Sequence, residues 1–284
     1  MEKVIIVNPE KLEKIKSAIK KDGPGKLHIL SDFDRTLTKI LVSGKKVLGM
    51  MSLLYNGNYL PPAYNVEAQK QHQKYYPIEI NPKVPLVEKK KAMKEWWNEA
   101  FKLVIKFGLE KQHIKSVASS PKLRLRQGFA EMENFLEKNK VPLVIMSSSG
   151  LGGDGIRLFL EKSAGRRNNI YVISNFFNWD KNGKAVSIKR PIVCGMHKDE
   201  TLVRDYPKIF RKVERRKNVI LMGDSLDDVE MVTGFDYDNL IKIGFLNENV
   251  EENMEYYKRA FDVLILNDGS MRYINKLLKE IIKQ

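Results

Sequence analysis

Cysteine is almost missing: Cys194 stands alone among 284 residues. That excludes a disulfide framework and a cysteine-rich zinc site, and makes a reducing, cytoplasmic compartment the expectation. Long apolar runs are missing too. No stretch reaches the roughly 18 residues a membrane span needs. The opening MEKVIIVNPEKLEK has a short apolar run with acids nearby and no small-residue cleavage site, so it does not read as a signal peptide. Acid is scarce relative to base: 35 Asp and Glu stand against 50 Lys and Arg, a formal net charge of +15. A nucleic-acid partner is one use for such a charge. However, the basic residues are spread throughout, with no aromatic-interleaved stripe, so nucleic acid is not expected as the main partner. Attraction of phosphorylated substrates accounts for the charge equally well.

What is present suffices for a real core. With 43% hydrophobic residues, the chain suits one large domain, or a core domain with a smaller one. Its organising stretch is Leu27–Thr38, LHILSDFDRTLT. An apolar run that stops abruptly in acids reads as a buried parallel strand whose C-terminal tip opens onto a site. VPLVIM at 141–146, NIYVI at 169–173, VILM at 219–222, and the runs 241–245 and 263–266 read as further strands. Helices are expected over 9–21, 155–163, 198–213 and 270–283, with an acidic helix between the last two strands. FFNWDKNG, within residues 175–184, reads as a loop or hairpin. Between residues 40 and 130 the texture changes. Asn56-Gly57-Asn58 and Pro61-Pro62 mark loops, and helices are expected over 87–107, 110–119 and 128–138. This block reads as an inserted cap. The expected class is α/β, a doubly wound parallel sheet with core residues 1–40 and 130–284 and a helical cap at 41–129.

Four features fall at strand ends: Asp32 with Asp34, Ser147 or Ser148, Lys198, and Asp224 with Asp228. Two acids two residues apart repel unless a cation or phosphate chemistry uses them. Asp32 is the candidate nucleophile toward phosphorus, and Asp34 the acid and then base. Asp32, the Asp34 backbone carbonyl and Asp224 form a hard oxygen set suited to Mg²⁺. Ser147 or Ser148 with nearby N–H groups can hold phosphate oxygens, and Lys198 can neutralise the phosphate. Asp228, one helical turn past Asp224, can orient a water or tie down Lys198.

DFDRTLT, the serine after the second strand, the downstream lysine and GDSLDDVEM resemble, in order, the four motifs of haloacid-dehalogenase phosphatases. KYYPIEINP, the VEKKKAMKEWW helix, VISNFFNWDKNGK and IKIGFLNENVEENMEYYKRAFDVLILND resemble the pyrimidine 5′-nucleotidase family within that superfamily. The resemblance implies a haloacid-dehalogenase-like core, a Mg²⁺-dependent 5′-nucleotidase acting on nucleoside 5′-monophosphates such as CMP or UMP, and an aspartyl-phosphate intermediate. It implies metal binding by Asp32, Asp34 and Asp224, and phosphate binding by Thr36, the serine turn and Lys198. Glu79 would recognise an exocyclic amino group of the base, with Trp97 or Phe101 stacking on it. The chain also departs from the pattern. Ser147-Ser148-Ser149-Gly150 is one residue longer than the family's usual Ser-Ala-Gly, which leaves the phosphate serine open between Ser147 and Ser148. Ala100, Phe101 and Val42 stand where serine, histidine and an aromatic residue are usual. A phosphatase for another small phosphomonoester, or a silent basic binding module, are the alternatives. A monomer is the expected state.

Overall fold

The structure, a computed structural model, describes residues 3–47, 49–81, 83–195, 198, 200–233 and 236–282. His197 and Asp199, which flank the candidate lysine, lie outside the described residues. The chain opens with β1 (Val4–Ile6), α1 (Pro9–Asp22) and β2 (Leu27–Ser31). Asn8 caps α1, its side chain accepting from the Lys11 N–H at 2.9 Å, with Pro9 in the first turn. A two-residue hairpin, β3 (Leu41–Val42) and β4 (Lys45–Lys46), leads into α2 (Met50–Asn56), α3 (Pro62–Ile80), α4 (Leu86–Lys106) and α5 (Lys111–Ala118). Then follow α6 (Phe129–Lys138), β5 (Leu143–Met146), α7 (Gly152–Ala164), β6 (Ile170–Ile173) and the hairpin β7 (Phe177–Trp179) and β8 (Ala185–Ile188). The chain continues through α8 (Glu200–Arg204), α9 (Pro207–Val213), β9 (Asn218–Gly223), β10 (Asn239–Leu246), α10 (Val250–Ala260), β11 (Val263–Leu266) and α11 (Arg272–Ile281).

Seven described strands form one sheet in the order β1-β11-β10-β9-β2-β5-β6. All pair in parallel except β1, which runs antiparallel to β11 at the edge. Strand alternation sorts the side chains onto two faces. Ile29, Leu143, Ile145, Ile220 and Met222 pack with residues of α1, α6, α7 and α11. Leu30, Val144, Met146, Val219 and Leu221 pack with Leu202 and Val203 of α8 and Ile209 and Val213 of α9. With helices covering both faces, the architecture is the doubly wound α/β fold expected. The strand order reverses between β2 and β9, which makes that crevice the topological switch point where ligands bind in such sheets.

Differences from the sequence reading have local causes. β1 is three residues long at an edge, too short to show a pattern. α3 runs where only the Pro61-Pro62 loop is marked, and it continues through Pro77, within a turn of its end. The helix expected over 198–213 is two helices, because Pro207 cannot continue α8 and instead starts α9.

Thr38 and Leu125 form an isolated antiparallel bridge, so the chain leaves for the helical insertion and returns at neighbouring points. Beside that bridge lies Arg126, 2% exposed. It donates to the carbonyls of Arg35 (2.5 Å), Thr36 (2.7 Å) and Gly269 (2.6 Å), to Asn247 Oδ1 (2.8 Å) and to Asp268 Oδ1 (3.1 Å). The inserted helices share the main apolar cluster: Met50, Leu53, Phe101, Val104, Ile114 and Val117 belong to it together with Leu143 and Ile145 of β5. No helix among the described residues is long and apolar enough to cross a membrane.

Candidate active site

Register builds the site. β2 pairs with β9 so that Ser31 lies beside Met222, and the Asp32 N–H donates to the Met222 carbonyl at 3.0 Å. The next residues on each strand are therefore neighbours, and Asp32 and Asp224 meet at the switch point. Carboxylate oxygens of Asp32, Asp224 and Asp228 lie within 4.8 Å of one another, all three residues buried. After β9 the chain turns into a short 3₁₀ helix capped by Ser225. Asp228 folds back so that Oδ2 accepts from the N–H groups of Asp224 and Ser225, each at 3.0 Å. Gly223 permits this approach: a Cβ there would sit 2.4 Å from the Asp228 Cβ. The Asp224 carbonyl accepts from the Tyr257 hydroxyl at 2.6 Å.

Two cations offset these acids. Lys198 Nζ donates to Asp32 Oδ1, and to Asp228 Oδ1 at 3.2 Å. Arg35 Nε lies 3.0 Å from Asp224 Oδ2. Burial alone would lower the Lys198 ammonium, but Asp32 and Asp228 together hold it above its ordinary value, so it stays charged. Burial pushes the Asp32 and Asp224 carboxyls up, against the pull of Lys198 and Arg35 respectively. The donor set is three buried carboxylates, all hard oxygen ligands, with two cationic nitrogen partners beside them. It fits a small divalent cation, which would remove the surplus negative charge.

Asp34 stands apart from that cluster. Burial, with the Asp32 charge added, pushes its carboxyl up to about 7. Its Oδ1 accepts from the Met50 N–H at 3.3 Å, at the start of the insertion. Gly49, with φ 128°, makes the contact possible: a Cβ there would lie 2.7 Å from the Asp34 carboxyl carbon.

The remaining candidates take varied places. Thr36, expected on phosphate, is fully buried, and its hydroxyl donates to Asp224 Oδ1 at 3.3 Å. Ser147 is buried, with Oγ accepting from the Ser149 N–H at 3.1 Å, whereas Ser148 is partly exposed. Ser149, which the sequence reading passed over, keeps a buried hydroxyl without a hydrogen-bond partner. Asn175, also missed, braces this turn. Its amide donates to the Val193 carbonyl at 2.9 Å and reaches the Ser148 and Ser149 carbonyls at 3.5 and 3.4 Å. Only its position after a strand could have flagged it.

From the insertion, Trp97 and Met51 come down on the serine turn: a Cβ on Gly150 would meet Trp97 Cζ3 at 3.2 Å and Met51 Sδ at 2.8 Å. Phe101, a candidate stacking residue, is 2% exposed, its ring 5.5 Å from Trp97 and 5.7 Å from Phe177. Phe101 packs between the Trp97 and Phe177 rings. Glu79 lies in the last turn of α3. Burial raises its carboxyl, the Asp227 charge adds to the shift, and Lys89 opposes it. Glu79 is thus close enough to feel the acidic turn after β9.

Such an arrangement can accept a phosphoryl group on Asp32 and supply a proton from Asp34. Comparison with known proteins finds 5′-nucleotidases. Residues 35–282 match the family model described as Pyrimidine 5'-nucleotidase (UMPH-1). The chain is 31% identical over 282 residues to the human 7-methylguanosine phosphate-specific 5'-nucleotidase, covering 99% of this chain and 93% of that one. It is 25% identical to the putative cytosolic 5'-nucleotidase 3 of Caenorhabditis elegans, over 98% of this chain and 75% of that one. Among solved structures, cytosolic 5'-nucleotidase IIIB bound to cytidine superposes with a TM-score of 0.88 at 29% identity, covering 98% and 93% of the two chains. A phosphoserine phosphatase, at 17% identity and a TM-score of 0.52, shares the fold.

Proposed function

Since this chain belongs to the pyrimidine 5′-nucleotidase family of haloacid-dehalogenase-type phosphomonoester hydrolases, we propose that it releases phosphate from nucleoside 5′-monophosphates through a phosphorylated Asp32, with Mg²⁺ bound. The observation that carries this reading is the convergence of Asp32, Asp224 and Asp228 at the switch point with Lys198 on Asp32. The first Asp32 oxygen to reach phosphorus forms the new P–O bond as the bond to the 5′ oxygen breaks. Asp34 gives its proton to that leaving oxygen. Water then attacks phosphorus, Asp34 takes a proton from it, and the Asp32–phosphorus bond breaks to free inorganic phosphate. Lys198 stays charged beside Asp32 and stabilises the extra negative charge of each transition state. Thr36 holds the Asp224 carboxylate in place, and Ser147 or Ser148 binds phosphate oxygens. Mg²⁺, held by Asp32, the Asp34 carbonyl and Asp224 with Asp228 behind them, would neutralise the phosphate so that a carboxylate can approach it.

Residues 41–129 act as the cap that selects the substrate and excludes water. Trp97 stacks on the base, and Glu79 accepts from a ring amino group. CMP and 7-methylguanosine monophosphate both carry such an amino group, and UMP does not. The 7-methylguanosine phosphate specificity of the human relative and the cytidine in the superposed structure support the same pair. Released phosphate is measured across 7-methylguanosine monophosphate, CMP, UMP and a hexose phosphate, with the cytoplasm as the working compartment. The two amino-bearing nucleotides should lead. A hexose phosphate outrunning every nucleotide would overturn the nucleotidase reading in favour of another phosphomonoester.

A further inference from the structure

The segment that carries Lys198 begins and ends in a second cleft, one the proposed chemistry does not use. Arg157 of α7, Ser174 after β6, Lys189 and Arg190 after β8, and Asp205 and Tyr206 between α8 and α9 line a volume of about 290 Å³. Three cations thus share the cleft with one carboxylate. Among the described residues, none of the three has a carboxylate within ion-pair distance. Arg190 donates instead to Asn98 Oδ1 of α4 at 2.9 Å.

The cleft is built rather than a chance gathering of surface lysines. The Arg157 guanidinium lies 4.8 Å over the Phe176 ring. Phe176 in turn is seated against Gly153, where a Cβ would come within 2.3 Å of the ring. At the floor, Ser174 is 1% exposed, and its hydroxyl has no hydrogen-bond partner. A buried unpaired donor below a group of cations is arranged to receive an anion. Ring stacking is not offered, because Arg157 and Gly153 already flank Phe176.

We propose that this cleft binds an oligophosphate anion, separately from the catalytic carboxylates, and that its occupancy restrains the segment bearing Lys198. The connection is covalent and short. Lys189 and Arg190 precede that segment, and Asp205 and Tyr206 follow it. The Tyr206 hydroxyl donates to the Ser174 carbonyl at 3.1 Å, across the floor. The next residue, Asn175, exchanges two 2.9 Å hydrogen bonds with Val193 and also reaches the serine turn. An anion bridging the two walls therefore pulls on both phosphate-handling loops at once. The binding itself does not depend on the nucleotidase reading.

Calorimetric titration of the full chain in EDTA, with pyrophosphate and with ATP, tests the proposal. Saturable binding is expected, weakened about tenfold or more by the Arg157→Glu, Lys189→Glu pair and retained in Lys198→Met. Reversal of Lys20 and Lys21 on α1 removes the same charge elsewhere and should leave the affinity unchanged. The paired Arg157→Lys, Lys189→Arg variant should keep most of it, which separates lost charge from lost folding. Equal affinity for the two probes assigns the site to the bare oligophosphate; tighter binding of ATP assigns it to a nucleoside polyphosphate. Hydrogen exchange over 200–206 should slow with either. The proposal is overturned by an absence of saturable binding, by loss in Lys198→Met with retention in the Arg157/Lys189 variant, or by equal weakening from the α1 reversal. Unchanged exchange over 200–206 would overturn the link to Lys198.

Discussion

Gly49 has no side chain because the Asp34 carboxyl occupies the place where one would project. Gly49→Ala should therefore push Asp34 away from the leaving oxygen. A fall in kcat of about 10- to 100-fold is expected in steady-state phosphate release, with a lowered melting temperature from the strain of an alanine at φ 128°. Asp32→Asn should abolish turnover, by about 1,000-fold or more, since an amide cannot take the phosphoryl group; retained activity would refute the nucleophile assignment. A third residue acts on stability alone. His28, buried in β2, is lowered to about 4, chiefly by burial. Above its ordinary value of 6.5 both folded and unfolded chains hold it neutral. Below that, the unfolded chain binds a proton that the folded chain refuses, so stability falls from pH 6.5 down to about 4. The loss approaches about 3 kcal/mol. Urea melts of the wild type and His28→Gln across this range check it: the variant should lose less stability on acidification. The acids of the site were readable because each follows an apolar run that stops abruptly. The burial of Thr36 was not, because its partner Asp224 is distant in sequence and only strand pairing brings the two together.

Among the elements, the strands were the most legible and the insertion the least. β2, β5, β9 and β11 are four to six residues long, fully buried, and flanked by turn residues, so composition alone marks them. α3 has no apolar stripe and contains Pro77; its helicity comes from packing along α4. α4 was legible as a helix, and the helical spacing of Met93, Phe101 and Val104 marked a face that is buried; what covers Phe101 was not legible, because it is the β7–β8 hairpin, a distant element. That separates two neighbouring aromatics by role. Phe101→Ala should cost about 3–5 kcal/mol in a denaturant melt, because it empties a packed junction with Phe177. Trp97→Ala should instead raise KM for nucleotides, with a smaller stability loss. Equal destabilisation by both would remove Trp97 as a base-stacking residue.

At the scale of the whole molecule, three carboxylates converge in a chain that is otherwise strongly basic, +15 in all. Mg²⁺ should raise the melting temperature of the wild type in a concentration-dependent way, and EDTA should reverse the rise. Asp224→Asn should lose that response while remaining folded. An undiminished Mg²⁺ shift in this variant would place the cation elsewhere. Finally, the neighbouring exit and re-entry points at Thr38 and Leu125 have an evolutionary meaning. A lobe of any length can be spliced in there, provided its two ends start about 5 Å apart and it brings an apolar underside to match. Arg126, just outside the splice, ties the Arg35–Thr36 turn to Asp268 and Gly269, while a replacement lobe must also supply the contact that Gly49 and Met50 make to the Asp34 carboxyl. If the insertion selects the substrate as proposed, exchanging it would change selectivity while Asp32, Asp224 and Asp228 stay in place.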